Sequence, residues 1–99
     1  MSIEHRALIQ WSSAQVQHGL PDVEGTIDPA WLDGVTPRVD EGWSLVCSFD
    51  SPPARQGNPS AARVRFLVEE APHHRLRAGT RLQLYERATN ALAQVEILD

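Results

Sequence analysis

WSLVCSFD, Trp43 to Asp50, places Trp43, Leu45, Cys47 and Phe49 on one side of an extended chain and Ser44, Val46, Ser48 and Asp50 on the other. Side chains of a strand alternate between its two faces, so this segment reads as a half-buried β-strand with Cys47 turned inward among large residues. The same period of two recurs outward in both directions. On the N-terminal side Ile3, Ala7, Ile9 and Trp11 alternate with Glu4, Arg6 and Gln10, with His5 and Leu8 breaking the pattern. On the C-terminal side Ala62, Val64, Phe66 and Val68 alternate with Arg63, Arg65 and Glu69, which leaves Leu67 as an apolar residue on the polar side. Leu82 and Leu84 follow between Arg81, Gln83 and Tyr85, and Ala91, Ala93, Val95 and Ile97 between Gln94 and Glu96, after a turn at Arg87 to Asn90. Five strands are predicted.

Between these segments proline and glycine punctuate the chain. SPPARQGNPS, Ser51 to Ser60, reads as a mobile loop, because its prolines cannot donate to a helix or a ladder. From Gly19 to Glu41 the periodicity fails; a short strand near Val23 to Ile27 and a turn of helix near Pro29 to Leu32 are the local readings there. Five strands with long Pro/Gly-rich loops predict a mainly β fold, a small antiparallel β-barrel, since closure removes exposed sheet edges. A two-layer sheet with one short helix is the nearest alternative. At 99 residues, with no repeat and no linker, the whole chain 1–99 is read as one domain.

Cys47 is the lone cysteine, so no disulfide forms within the chain, and a reducing compartment is expected. Glu4, His5 and Arg6 interrupt the N-terminus where a signal peptide needs an apolar run, and no stretch approaches the roughly 20 apolar residues of a membrane helix, so a cytoplasmic protein without a membrane role is expected. All nine basic residues are arginine, a usage like that of GC-rich bacterial genomes. The net charge of −4 disfavours general nucleic-acid binding. It is unevenly spread: eight acids face two arginines from Met1 to Asp50, and seven arginines face five acids from Ser51 onward.

RVRFLVEEAPHHRLRAGTRLQLYERATNALAQVEIL, Arg63 to Leu98, resembles the end of the C-terminal β-barrel of bacterial translation elongation factor Tu. Pro72, Gly79, the strand Arg81 to Glu86 and the final strand Ala93 to Leu98 carry the resemblance, about a third of the chain, and the resemblance implies that IEHRALIQW would occupy the barrel's opening strand. The family's glycine-rich turn is replaced here by Arg87, Ala88, Thr89 and Asn90, and its arginine before the glutamate by Tyr85. The resemblance implies a barrel fold and, at most, a link to RNA-contacting translation factors. With no lysine, the chain lacks the phosphate-binding lysine of a nucleotide site.

No catalytic motif is present, so the chain is not expected to be an enzyme, and no cofactor is implied. His73 and His74, flanked by Arg75 and Arg77, lack the further converging ligands that a metal site needs, and read as a solvated loop. No Gly-x-Ser-x-Gly elbow exists, and Cys47 on an apolar strand face reads as a small buried hydrophobe rather than a nucleophile. Trp11 and Trp43 occupy inward strand positions. Trp31 stands among acids outside any confident alternation, which suits an aromatic anchor for a basic protein partner; a plug that closes one end of the barrel is the alternative.

The expected function is therefore a non-enzymatic protein-interaction module, an accessory or immunity-type inhibitor being one form of it. Its partner-binding residues are read as Trp31, Asp28, Asp33, Asp40 and Glu41 in the acidic segment. An RNA-contacting barrel using Arg63, Arg65, Arg75, Arg77 and Arg81 is the alternative. A hydrolase with an unrecognised site is the third.

Overall fold

The alternating segments close on one another. In the computed structural model, which describes residues 3–32, 42–87 and 90–99, six antiparallel strands form a closed barrel in the order β1-β4-β3-β2-β5-β6. The strands are β1 (His5–Trp11), β2 (Gly25–Leu32), β3 (Trp43–Ser48), β4 (Ser60–Phe66), β5 (Arg81–Arg87) and β6 (Asn90–Ile97). Strands β2, β3 and β4 run as a meander, and β1 returns beside β4 in a Greek key. No helix among the described residues is long and apolar enough to cross a membrane.

Register puts the apolar half of each strand inside. Ala7 pairs with Ala62 and Ile97, Ile9 with Val95, Cys47 with Val64, Leu45 with Phe66, Leu82 with Val95 and Leu84 with Ala93. All of these are buried in one cluster, with Trp11 and Phe49. The alanines matter because a narrow barrel interior must alternate small and large residues, and Ala7, Ala30, Ala62 and Ala93 leave room for Trp11, Phe49 and Phe66. Ala71 and Leu76, from the β4–β5 connection, are buried in the same cluster. Between β1 and β6, the Arg6 guanidinium holds the Asp99 carboxylate at 2.7 Å, and the Leu98 N–H donates to the Arg6 carbonyl at 2.8 Å.

Five local expectations are corrected. Pro29 to Leu32 is not a helical turn but the end of β2, extended and paired with both β3 and β5. Proline is tolerated at Pro29 within this strand, and Trp31 is therefore set by sheet geometry. Trp43 lies opposite Ala30 on the inward side but begins its strand, and at 36% exposed it is not a core residue. Val68 lies beyond the end of β4 and is exposed, and Ile3 precedes β1 with 76% exposure. Ser51 to Ser60 is not free of regular structure: Pro53–Gln56 forms one helical turn, α2, with Pro53 buried. The Gln56 side chain donates to the carbonyls of Ser51 and Ala61 and accepts from the Ala61 N–H at 2.8 Å.

One element has no counterpart in the alternation. Ser13–His18 forms a short helix, α1, capped by the Ser12 hydroxyl, which accepts from the Gln15 N–H at 3.2 Å. Ser-x-x-Gln at Ser12 to Gln15 is the spacing of a helix start, and this signal was legible.

Candidate functional site

Strand parity decides where the acidic residues go. Trp31 pairs with Gln83, which lies between the buried Leu82 and Leu84, so both point to the outer face of the sheet. Trp31 is nevertheless only 5% exposed and does not belong to the barrel's interior cluster. Its indole lies edge-on to the Tyr85 ring, and the Gly42 backbone presses on its other atoms so closely that an added Cβ would stand 2.5 Å from Cζ2. Trp31 is thus packed on the outer face rather than standing exposed, and a buried indole offers a partner little surface. Asp33, Asp40 and Glu41 lie outside the described residues.

Asp28 is turned the other way. It stands opposite the buried Leu45, on the same side as Ala30, and burial pushes its carboxyl above the ordinary 3.8, with the nearby Glu86 carboxylate raising it further. Thr26 opposes both effects. Its Oγ1 is buried without a hydrogen-bond partner of good geometry, yet it lies close enough to favour the charged forms of Asp28 and of Cys47. Burial dominates at Cys47, whose thiol is pushed up to about 12. The burial expected for Cys47 is observed. These groups form a partly buried polar set inside the barrel rather than an acidic surface.

Among the described residues, three surface concavities bear on function. The widest, about 730 Å³, is lined by Ile3, Leu67 and Leu76 together with His5, His73, His74 and Glu69. Two of its histidines are held by backbone. His5 Nδ1 lies 2.8 Å from the Asp99 carbonyl, and His73 Nε2 lies 2.9 Å from that of Val68 and 3.1 Å from that of Glu69; a carbonyl only accepts, so each of these nitrogens carries the hydrogen. His73 also packs edge-on to Phe66. His73–Arg75 forms a single 3₁₀ turn.

A second concavity, about 420 Å³, lies over the outer faces of β1 and β4 and includes Arg6, Arg63, Asp50 and Leu98. Arg6 and Arg63, cross-strand neighbours, are each engaged by a carboxylate, Asp99 and Asp50. The third, about 360 Å³, is lined by Leu32, Arg75, Gly79, Thr80 and Arg81. The five arginines of the RNA reading are thus split among the outer face of β4, the β4–β5 connection and the start of β5. Among the described residues no group of three or more His, Cys, Asp or Glu is placed to hold a metal ion.

Asp28 and Cys47, the groups whose titration burial raises, line none of these three concavities. The residues that sequence reasoning missed are Ile3 and Leu67. Leu67 carried a signal, being apolar on the polar side of its alternation, whereas Ile3 fitted the inward pattern and is exposed because β1 begins two residues later. Comparison with known protein families, with curated proteins and with solved structures found no match.

Proposed function

We propose that this chain is a non-enzymatic protein-binding module whose recognition surface is the groove of Ile3, Leu67 and Leu76. The supporting observation is the groove itself: the largest of the three concavities opens beside two exposed aliphatic side chains, Ile3 and Leu67. Exposed apolar residues that line a concavity and are rimmed by polar groups are what a partner's apolar side chain needs to gain by burial. Held against backbone carbonyls, the His5 and His73 rings present fixed polar edges on the rim. The partner this favours inserts an aliphatic or aromatic residue between Ile3 and Leu67.

The test is capture of a partner on the immobilised chain, followed by reconstitution with that partner purified. Binding should survive about 1 M salt, where the screening length falls to about 3 Å. Ile3→Asp with Leu67→Asp should abolish it, whereas Val16→Asp, also exposed but on α1, should not. A partner held equally well by the double variant would refute the groove. Loss of binding by 1 M salt would favour an electrostatic partner such as RNA.

A further inference from the structure

The third concavity has a different chemistry. Arg75 and Arg81 both line it, both are exposed, and neither forms an ion pair among the described residues. Glu96 stands opposite Arg81 in the β5–β6 register but is not paired with it. Two guanidinium groups brought to one concavity with no counter-charge among the described residues repel each other, and an anion between them relieves that repulsion.

The backbone carrying them is fixed at several points. Leu76, next to Arg75, is buried in the core cluster and its N–H donates to the His73 carbonyl at 3.1 Å. The Arg77 N–H donates to Arg75 and the Thr80 N–H to Arg77, while Gly79 and Thr80 exchange hydrogen bonds with Ile97 at 2.9 Å. Gly79, at φ +91°, makes the turn that brings Thr80 and Arg81 back toward Arg75. The two cations are thus presented from a constrained loop and the strand that follows it, with Thr80 lining the same concavity.

We propose that Arg75 and Arg81, with Thr80, bind a phosphate monoester dianion. A carboxylate has two oxygens and is satisfied by one guanidinium fork, whereas a phosphate monoester has three free oxygens and can serve a fork on each side. A nucleic-acid backbone is the poorer match, because it needs a row of unpaired cations, and this chain carries a net charge of −4 with Arg6 and Arg63 already engaged. This site is separate from the groove of Ile3 and Leu67, and its test does not depend on that groove.

The test is a titration of the ¹⁵N-labelled full chain with phenyl phosphate at low ionic strength, followed at the Gly79 and Thr80 amides and the Arg75 and Arg81 side chains. Saturable shifts with Kd on the order of 1 mM are expected. Because the second ionisation of a phosphate monoester lies near pH 6, binding should tighten as pH rises from about 5 to about 7. Arg75→Gln and Arg81→Gln should each weaken it by about tenfold or more, with the remaining spectrum unchanged. Arg81→Lys, which keeps the charge and loses the fork, should fall between. Shifts that do not saturate, or that persist in both glutamine variants, would overturn the site. Equal or tighter binding of acetate, or of a short single-stranded RNA, would overturn the monoester assignment.

Discussion

The Trp31 and Tyr85 rings meet edge to face, with centroids 5.2 Å apart and planes at 89°. The contact joins β2 to β5 on the outside of the barrel, where the Gly42 backbone also rests on the indole. The indole is thus held by its own chain. Trp31→Ala should cost about 3–5 kcal/mol, the range for truncating a buried aromatic side chain. Gly42→Ala should cost about 1–3 kcal/mol, because its methyl group would overlap the ring. Urea unfolding of both variants checks this; an unchanged midpoint for Trp31→Ala would mean that the side chain is not packed.

How far the fold was legible depends on where a residue's exposure is decided. For Ile9, Leu45, Val64, Leu84 and Val95 the pleat alone decides it, and alternation located them all in the interior. Trp31 and Trp43 show the limit. Each obeys strand parity, but Trp31 is buried on the outer face by Tyr85 and Gly42, and Trp43 is exposed on the inner side because it starts its strand. Neither contact has a periodicity. The groove was half legible for the same reason: Leu67 violated its pattern visibly, while Leu76 and the histidines reach it through a loop.

Cys47 supplies a pH test. Its folded thiol titrates at about 12 against an ordinary 9.0, chiefly through burial. Below pH 9.0 both folded and unfolded thiols are protonated, and the group adds no pH dependence. Above it the unfolded chain releases a proton that the folded chain keeps, so stability should fall as pH rises from 9.0 toward about 12. Chemical denaturation across this range should show a shallower decline in Cys47→Ala. In native protein at neutral pH a disulfide reagent should label Cys47 only at the rate of opening.

Asp28 carries the same consequence at lower pH. Its folded carboxyl titrates above the ordinary 3.8, so its neutral form is the one the fold favours. That contribution is complete below pH 3.8 and is lost as pH rises through the raised folded value. Asp28→Asn should therefore stabilise the protein at pH 7 and make no difference once the medium is acidic enough to protonate the carboxyl in both states. Thr26→Val, which removes an unpartnered buried hydroxyl at nearly constant volume, should also stabilise, by about 1 kcal/mol. Thermal midpoints at pH 7 and at low pH decide both; a destabilised Asp28→Asn would mean that its charge is needed.

Ser60 ties the proline-rich connection to the barrel. It is fully buried, and its hydroxyl accepts from the Trp11 indole N–H at 3.0 Å while donating to the Gly57 carbonyl at 2.6 Å. Two residues earlier, Asn58 clamps the Trp11 backbone, accepting from its N–H at 2.8 Å and donating to its carbonyl at 3.3 Å. Ser60→Ala leaves the buried indole N–H without an acceptor and should cost about 1–3 kcal/mol. The same bonds bear on proteolysis. Cleavage after Arg55 requires α2 to open, and α2 is held by the Gln56 bonds to Ser51 and Ala61 as well as by the Trp11 contacts that follow. Trypsin should therefore cut native protein after Arg55 slowly, and faster in Gln56→Ala and Asn58→Ala, where the loop opens locally without global unfolding. Rapid cutting at Arg55 in the unaltered protein would show that these hydrogen bonds do not hold the loop in solution.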